Sequence, residues 1–153
     1  MQLEYIAKKE FEQLFLKLRA ESEISVLKKL NKIPKIFVET ALSLSKLDFI
    51  KFIRISENEI RASSEVKGAR IKIPITQTHH FTATGINIIY HFEYETIDFD
   101  EINSPIKGNG TKMVECILSN LPNHWKAGIF MDWSGGFWDN MKLKYKNINW
   151  VDY

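Results

Sequence analysis

The period of the apolar residues changes after residue 46, and that change limits the fold more than any other feature. Up to residue 46 the apolar residues recur at helical spacing; from residue 49 they alternate. Residues 6–20, IAKKEFEQLFLKLRA, set Phe11, Leu14, Phe15 and Leu18 on one helical face. Residues 22–31, SEISVLKKLN, read as a second helix, capped by Ser22 and striped by Ile24, Leu27 and Leu30. Pro34 interrupts the pattern. Residues 35–46 read as a third helix, although IFVETALSLS suits a strand as well.

In the second part, FIKFIRIS (49–56) and EIRASSEV (59–66) alternate around Glu57-Asn58 and predict a hairpin. ARIKIPIT (69–76) predicts a strand whose Pro74 places it at an edge or a bulge. HHFTATG (79–85) predicts a loop. GINIIYHFEYETIDFDE (85–101) is the longest strand candidate. Its apolar face falls on even numbers up to Tyr94 and on odd numbers from Ile97. One residue of slippage swaps the faces of a strand. That predicts a β-bulge near Glu95 and Thr96, or else a strand half-buried on both faces.

Residues 110–121 predict a helix with Met113, Val114, Ile117 and Leu121 along one face, stopped by Pro122. KAGIFMD (126–132) predicts a buried strand, SGGFWDNMKLKY (134–145) a helix entered through Ser134, and NINWVDY (147–153) a closing strand. The order is three helices, four strands, helix, strand, helix, strand. This is an α/β (α+β) chain of one domain over 1–153, helical over 1–46, with a sheet core over 49–153.

Composition narrows the function classes. With 153 residues, 44% hydrophobic and 26% charged, the chain can bury a core and is not of the disordered class. A net charge of +2 is too small to imply nucleic acid. The lysines of the N-terminal segment are offset by glutamates and read as a solvated face. The single Cys116 fits a reducing compartment, and the opening MQLEYIAKKEFEQ carries charges where a signal peptide carries an apolar stretch. A cytoplasmic chain with no membrane contact is expected. His79-His80, His91 and His124 lack the spacing of zinc ligands, so no metal is expected. Cys116 reads as an inert thiol on a helix, and the tryptophans at 125, 133, 138 and 150 mainly as core, with an aromatic wall beside a cleft as the alternative.

One stretch suggests chemistry. In SPIKGNGTKM (104–113), Gly108 and Gly110 sit one residue apart between Lys107 and Lys112, just before a helix. Glycine lets a backbone approach a ligand, and the first amides of a helix carry free donors and partial positive charge. Together they suit an anion, most often phosphate. The plain alternative is a glycine-assisted entry into a helix. The run is not a P-loop, and Met113 stands where a dinucleotide fingerprint needs its third glycine.

The stretches IDFDEINSPIKGNGTKMVECIL (97–118), IFMDWSGGFWDNM (129–141) and NINW (147–150) resemble the Gnat-type N-acetyltransferase superfamily, over roughly residues 86–150. The resemblance implies a mixed, mostly antiparallel sheet flanked by helices, with a helical N-terminal segment. It implies acetyl-coenzyme A as co-substrate, its pyrophosphate held by Lys107, Gly108, Asn109, Gly110, Thr111 and Lys112. It also implies a bulged strand splayed from its neighbour, transfer of the acetyl group to an amine of a small molecule or a protein, and a carboxylate on that strand as base. Glu93 and Glu95 share a face by strand parity, and Glu95 is favoured because it is nearer the expected bulge. The chain departs from the family pattern at Pro105, where Arg or Gln is usual, and at Phe137-Trp138, where a tyrosine often stands; Tyr145 is the nearest tyrosine further on. These departures leave an alternative: a non-catalytic interaction module of phage or mobile-element type on a Gnat-like core, meeting a protein partner through its N-terminal helices.

Overall fold

The computed structural model describes residues 3–18, 22–65, 83–130, 132 and 134–151. In chain order the elements are β1 (Tyr5–Ala7), α1 (Lys8–Lys17), β2 (Glu23–Val26), β3 (Lys32–Pro34), α2 (Lys35–Ser45), β4 (Phe52–Ile55) and β5 (Glu59–Ser63). They continue with β6 (Gly85–His91), a 3-10 turn (Phe92–Tyr94), β7 (Thr96–Asn103), α3 (Asn109–Ser119), β8 (Lys126–Ile129), α4 (Phe137–Lys144) and β9 (Asn149–Val151). The general α+β class is as expected, but the sheet is evenly mixed. Seven strands run in the order β2-β4-β5-β6-β7-β8-β9, and β1 and β3 form a separate two-stranded ribbon. The pairs β2–β4, β7–β8 and β8–β9 are parallel; the three between β4 and β7 are antiparallel.

The N-terminal part is less helical than its spacing predicts. Helix α1 starts at Lys8, because Tyr5–Ala7 pair with Lys32–Pro34. Phe11 and Phe15 are buried, and Leu18 lies past the helix end, half exposed. The expected helix over 22–31 is instead strand β2 followed by a turn. Ile24 and Val26 pair beside Ile53 and Ile55 of β4, where β-branched side chains pack better than on a helix. Ser22 does not cap a helix; its hydroxyl donates to the Ile50 carbonyl at 2.6 Å. The third helix forms as α2, and the hairpin of β4 and β5 forms as predicted. The strand expected at 69–76, with Pro74, and the pair His79-His80 lie outside the described residues.

The long strand expected over 85–101 is a hairpin. Tyr90 pairs with Ile97 and Ile88 with Phe99, so an even residue of β6 meets an odd residue of β7. The parity change that suggested a bulge at Glu95 and Thr96 is the hairpin itself. A bulge does exist, further on. Asn87 pairs with Glu101 while Ile88 pairs with Phe99, so Asp100 is the extra residue.

An apolar row crosses the sheet through Ile55, Ile60, Ile88, Phe99 and Ile129. The helices cover this face. Phe37 of α2 meets Tyr90 at 4.7 Å between ring centroids, and Trp138 of α4 meets Phe99 at 4.8 Å. Helix α3 buries Met113, Val114 and Ile117, and its Asn120 amide donates to the Ser43 hydroxyl after α2's last turn begins. The other face carries Arg54, Arg61, Asn87 and Glu101 in register. No helix among the described residues is long and apolar enough to cross a membrane.

Ile88 is fully buried at the centre of the apolar row. Ile88→Ala is expected to lower unfolding free energy by about 3 kcal/mol, read from denaturant midpoints, because the flanking Ile60 and Phe99 cannot collapse into the space.

Candidate functional site

Strands β7, β8 and β9 are parallel and joined by α3 and α4, so the loops leaving β7 and β8 both emerge at the strands' carboxyl ends. Ligands of open α/β sheets bind at such ends. Of β7, strand β8 pairs with Thr96–Phe99 alone; the last four residues of β7, from the bulge onward, have no strand partner on that side among the described residues. The glycine loop follows at once.

The loop closes tightly. Ser104 donates its hydroxyl to the Ile106 carbonyl at 2.8 Å, and the Asn109 amide donates to the same carbonyl at 3.3 Å. Gly108 stands just before α3 at φ +94°, a left-handed conformation suited to glycine. The first helical bond runs from the Lys112 amide to the Gly108 carbonyl at 3.2 Å, and no side chain caps the helix. With the Asn109 amide turned back to Ile106, the Gly110 and Thr111 amides are the first-turn donors left without a helical acceptor. Lys107 and Lys112 are exposed beside them, whereas Asn109 and Gly110 are buried.

The loop after β8 ends close by. A Cβ on Gly110 would lie 3.3 Å from Phe137 Cε1, so the starts of α3 and α4 touch. The Phe137 ring covers one flank of the α3 tip. The two tips differ chemically. At α4, Asp132 accepts the Ser134 amide at 2.9 Å and the Ser134 hydroxyl at 2.5 Å, and Ser134 Oγ in turn accepts the Trp138 amide at 3.4 Å. The two Ser134 bonds hold the Asp132 carboxyl below its ordinary range. The α4 tip is thus served by side chains, whereas no side chain caps the α3 tip. Ile106 and Phe130, both more than 60% exposed, add apolar surface to the loops leaving β7 and β8.

The six loop residues expected to hold a diphosphate, Lys107 to Lys112, run through the turn into the first turn of α3. The residues expected to do the chemistry lie elsewhere. Glu93 is in the 3-10 turn and Glu95 follows it at φ 48°, so neither lies on a strand. Glu95 is at the opposite end of β7 from the loop, about 26 Å away for eight extended residues. Its carboxylate pairs with His124. Tyr145 closes the far end of α4, about 12 Å from that helix's start. Strand parity misplaced Glu95 because it treated two strands as one.

The parity reading also missed two carboxylates at the bulge of β7, which lie with Asn87 on the polar face of the sheet, opposite the helices. The bulge turns Asp100 and Glu101 toward Asn87, which is 1% exposed and donates to Asp100 Oδ2 at 3.0 Å. Burial, and then the Asp100 charge, push the Glu101 carboxyl above its usual range, against the pull of Arg61. The signal for these residues was present as Asp100-Glu101 breaking the alternation of β7.

Other candidates resolve simply. Trp125 and Trp138 are core and Trp150 packs against it; Trp133 lies outside the described residues. Among the described residues no group of three or more His, Cys, Asp or Glu is arranged to hold a metal ion. A groove of about 580 Å³, lined by Tyr5, Leu30, Lys32, Pro34 and Phe92, lies at the amino end of β7, remote from the glycine loop. Compared with family models, curated proteins and solved structures, the chain matches none.

Gly108→Ala is expected to cost about 1 kcal/mol by thermal unfolding, because alanine is strained at this φ although space is open around it. Cys116 is half-buried on α3, and burial, then Glu115, pushes its thiol up to about 11. The native chain should therefore react slowly with a thiol reagent at neutral pH, the rate climbing toward pH 11. The unfolded chain ionises first, so this group's contribution to stability falls as pH rises from about 9 to about 11. A neutral-pH rate equal to that of the unfolded chain would contradict the burial.

Proposed function

We propose that the chain is an acyl-coenzyme-A-dependent N-acetyltransferase acting on an amine. The observation that carries this reading is the α3 tip, uncapped and flanked by two lysines, at the carboxyl end of β7 where pairing with β8 stops. The residues fit a diphosphate on chemical grounds. Gly108 leaves open space over the loop, and Gly110 allows the tip to seat against Phe137 without a side chain in the way. Amides of the first turn donate to phosphate oxygens, and Lys107 and Lys112 add attraction. When bound, the coenzyme supplies the thioester to be attacked.

The chain's own part is to hold, orient and deprotonate. Acetyl transfer requires a neutral amine. Glu101 and Asp100, at the bulge and three to four residues before the loop, supply carboxylates on the correct strand; a raised carboxyl such as Glu101 is better matched to accept an amine's proton near neutral pH. They replace Glu95 in that role. Backbone N–H groups freed at the bulge are donors for a developing oxyanion. Tyr145 is too far from the α4 start to act there, so the reading assigns no tyrosine as acid.

A second reading, a non-catalytic interaction module, draws on the groove beside the β1–β3 ribbon and on Leu16 of α1, which is 77% exposed.

Thermal unfolding with and without acetyl-coenzyme A tests the choice. A ligand specific for the native state at a hundredfold excess over Kd adds about 2.7 kcal/mol, several degrees in Tm for a chain of this length. The shift is expected to vanish in the exposed double variant Lys107→Glu, Lys112→Glu. No shift at millimolar ligand leaves the interaction module as the better reading.

A further inference from the structure

Among the described residues, the polar sheet face holds two buried acceptor atoms with no donor, one on buried Asn87 and one on half-buried Glu101. Asn87 Nδ2 gives its proton to Asp100 Oδ2, which fixes the amide's orientation, because a carboxylate cannot donate to the amide oxygen while ionised. Asn87 Oδ1 is then left buried without a partner, and so is Glu101 Oε2. The two residues are in register on β6 and β7. Leaving such groups unsatisfied is unfavourable, because each has given up its water without gaining a partner. Arg61, in register on the other side of Asn87, commits its Nε to Glu59 at 2.6 Å, and its charge already draws the Glu101 carboxyl down without giving Oε2 a hydrogen bond. Further along the strands, His91 is engaged with Asp98 at 2.7 Å. The cluster is rich in acceptors and carboxylate charge, on a chain whose net charge is +2.

We infer that Asn87 Oδ1, Glu101 Oε2 and the Asp100 carboxylate form a binding site for a primary ammonium group. The group has three N–H donors, and the cluster offers three acceptors. Its positive charge offsets Asp100 and Glu101 together. Burial and then the Asp100 charge raise the Glu101 carboxyl; a cation here opposes the second of these, adding to what Arg61 already supplies. A divalent metal suits the place less well, since only two carboxylates face Asn87. On the acyl-transfer reading, on which this one step rests, the ammonium belongs to the acceptor; the site itself does not depend on it.

The test is an amide-resolved NMR titration of the full chain, with no coenzyme present. n-Butylammonium chloride and Nα-acetyl-lysine methylamide are expected to shift the Asn87 Nδ2 proton pair and the Glu101 amide in a saturable way. The stronger of the two assigns the ammonium to a small amine or to a lysine side chain. Tetramethylammonium, which has no N–H, is expected to leave both signals in place. Glu101→Gln, which keeps the shape and removes the charge, should fold and lose the response. The proposal is overturned if neither amine shifts these signals, which means Glu101 closes the contact with its own proton. An equal response to tetramethylammonium or to magnesium overturns it too. Because no coenzyme is added, its failure is separate from failure of the cofactor reading.

Discussion

Two parallel crossovers in one direction govern this structure. β7-α3-β8 and β8-α4-β9 step the same way along the sheet, and right-handed connections then place both helices on one face. That face must be apolar, and the row from Ile55 to Ile129 meets the requirement. The same constraint brings both helix starts to one end of the sheet. It also leaves the opposite face to polar side chains. The glycine loop and the Asn87 cluster are thus two results of one topological choice.

The two helix starts show how neighbouring sequences divide a task. Asp132 and Ser134 meet the needs of α4, so its dipole is already answered by a carboxylate. Helix α3 has no such residue; glycine, asparagine and threonine open it, with lysines on either side. The α3 start therefore carries positive side chains and no capping carboxylate, the reverse of the α4 start. The contact between Gly110 and Phe137 holds the α3 start in place against α4.

Much of this was legible from residue patterns. Helices α1 and α3 follow from 3.6-residue spacing, α4 from its entry through Ser134, and the β4–β5 hairpin from alternation; α2 was open between helix and strand. The entry of the glycine loop into α3 was legible too, because glycine conformations and helix starts are local properties. What failed was non-local. Nothing within SEISV says that β4 waits beside it, and the pairing of Ile24 with Ile53 overrides a helical stripe. The run from Gly85 to Glu101 contains no glycine or proline at its middle, so its reversal through Phe92–Tyr94 left no turn signal. The shift in parity was read at the reversal, and the true bulge, with Asp100 and Glu101, went unseen behind it.

The bulge has one more consequence. Past Asp100 the alternation of β7 resumes as if that residue were not there: Ile97 and Phe99 face the helices before it, and Ile102 does so after it. A related chain lacking Asp100 keeps every other side chain on its present face. Position 100 is therefore an indel site inside a central strand, where length variation is ordinarily forbidden, and homologues can differ there in carboxylate number without differing in architecture.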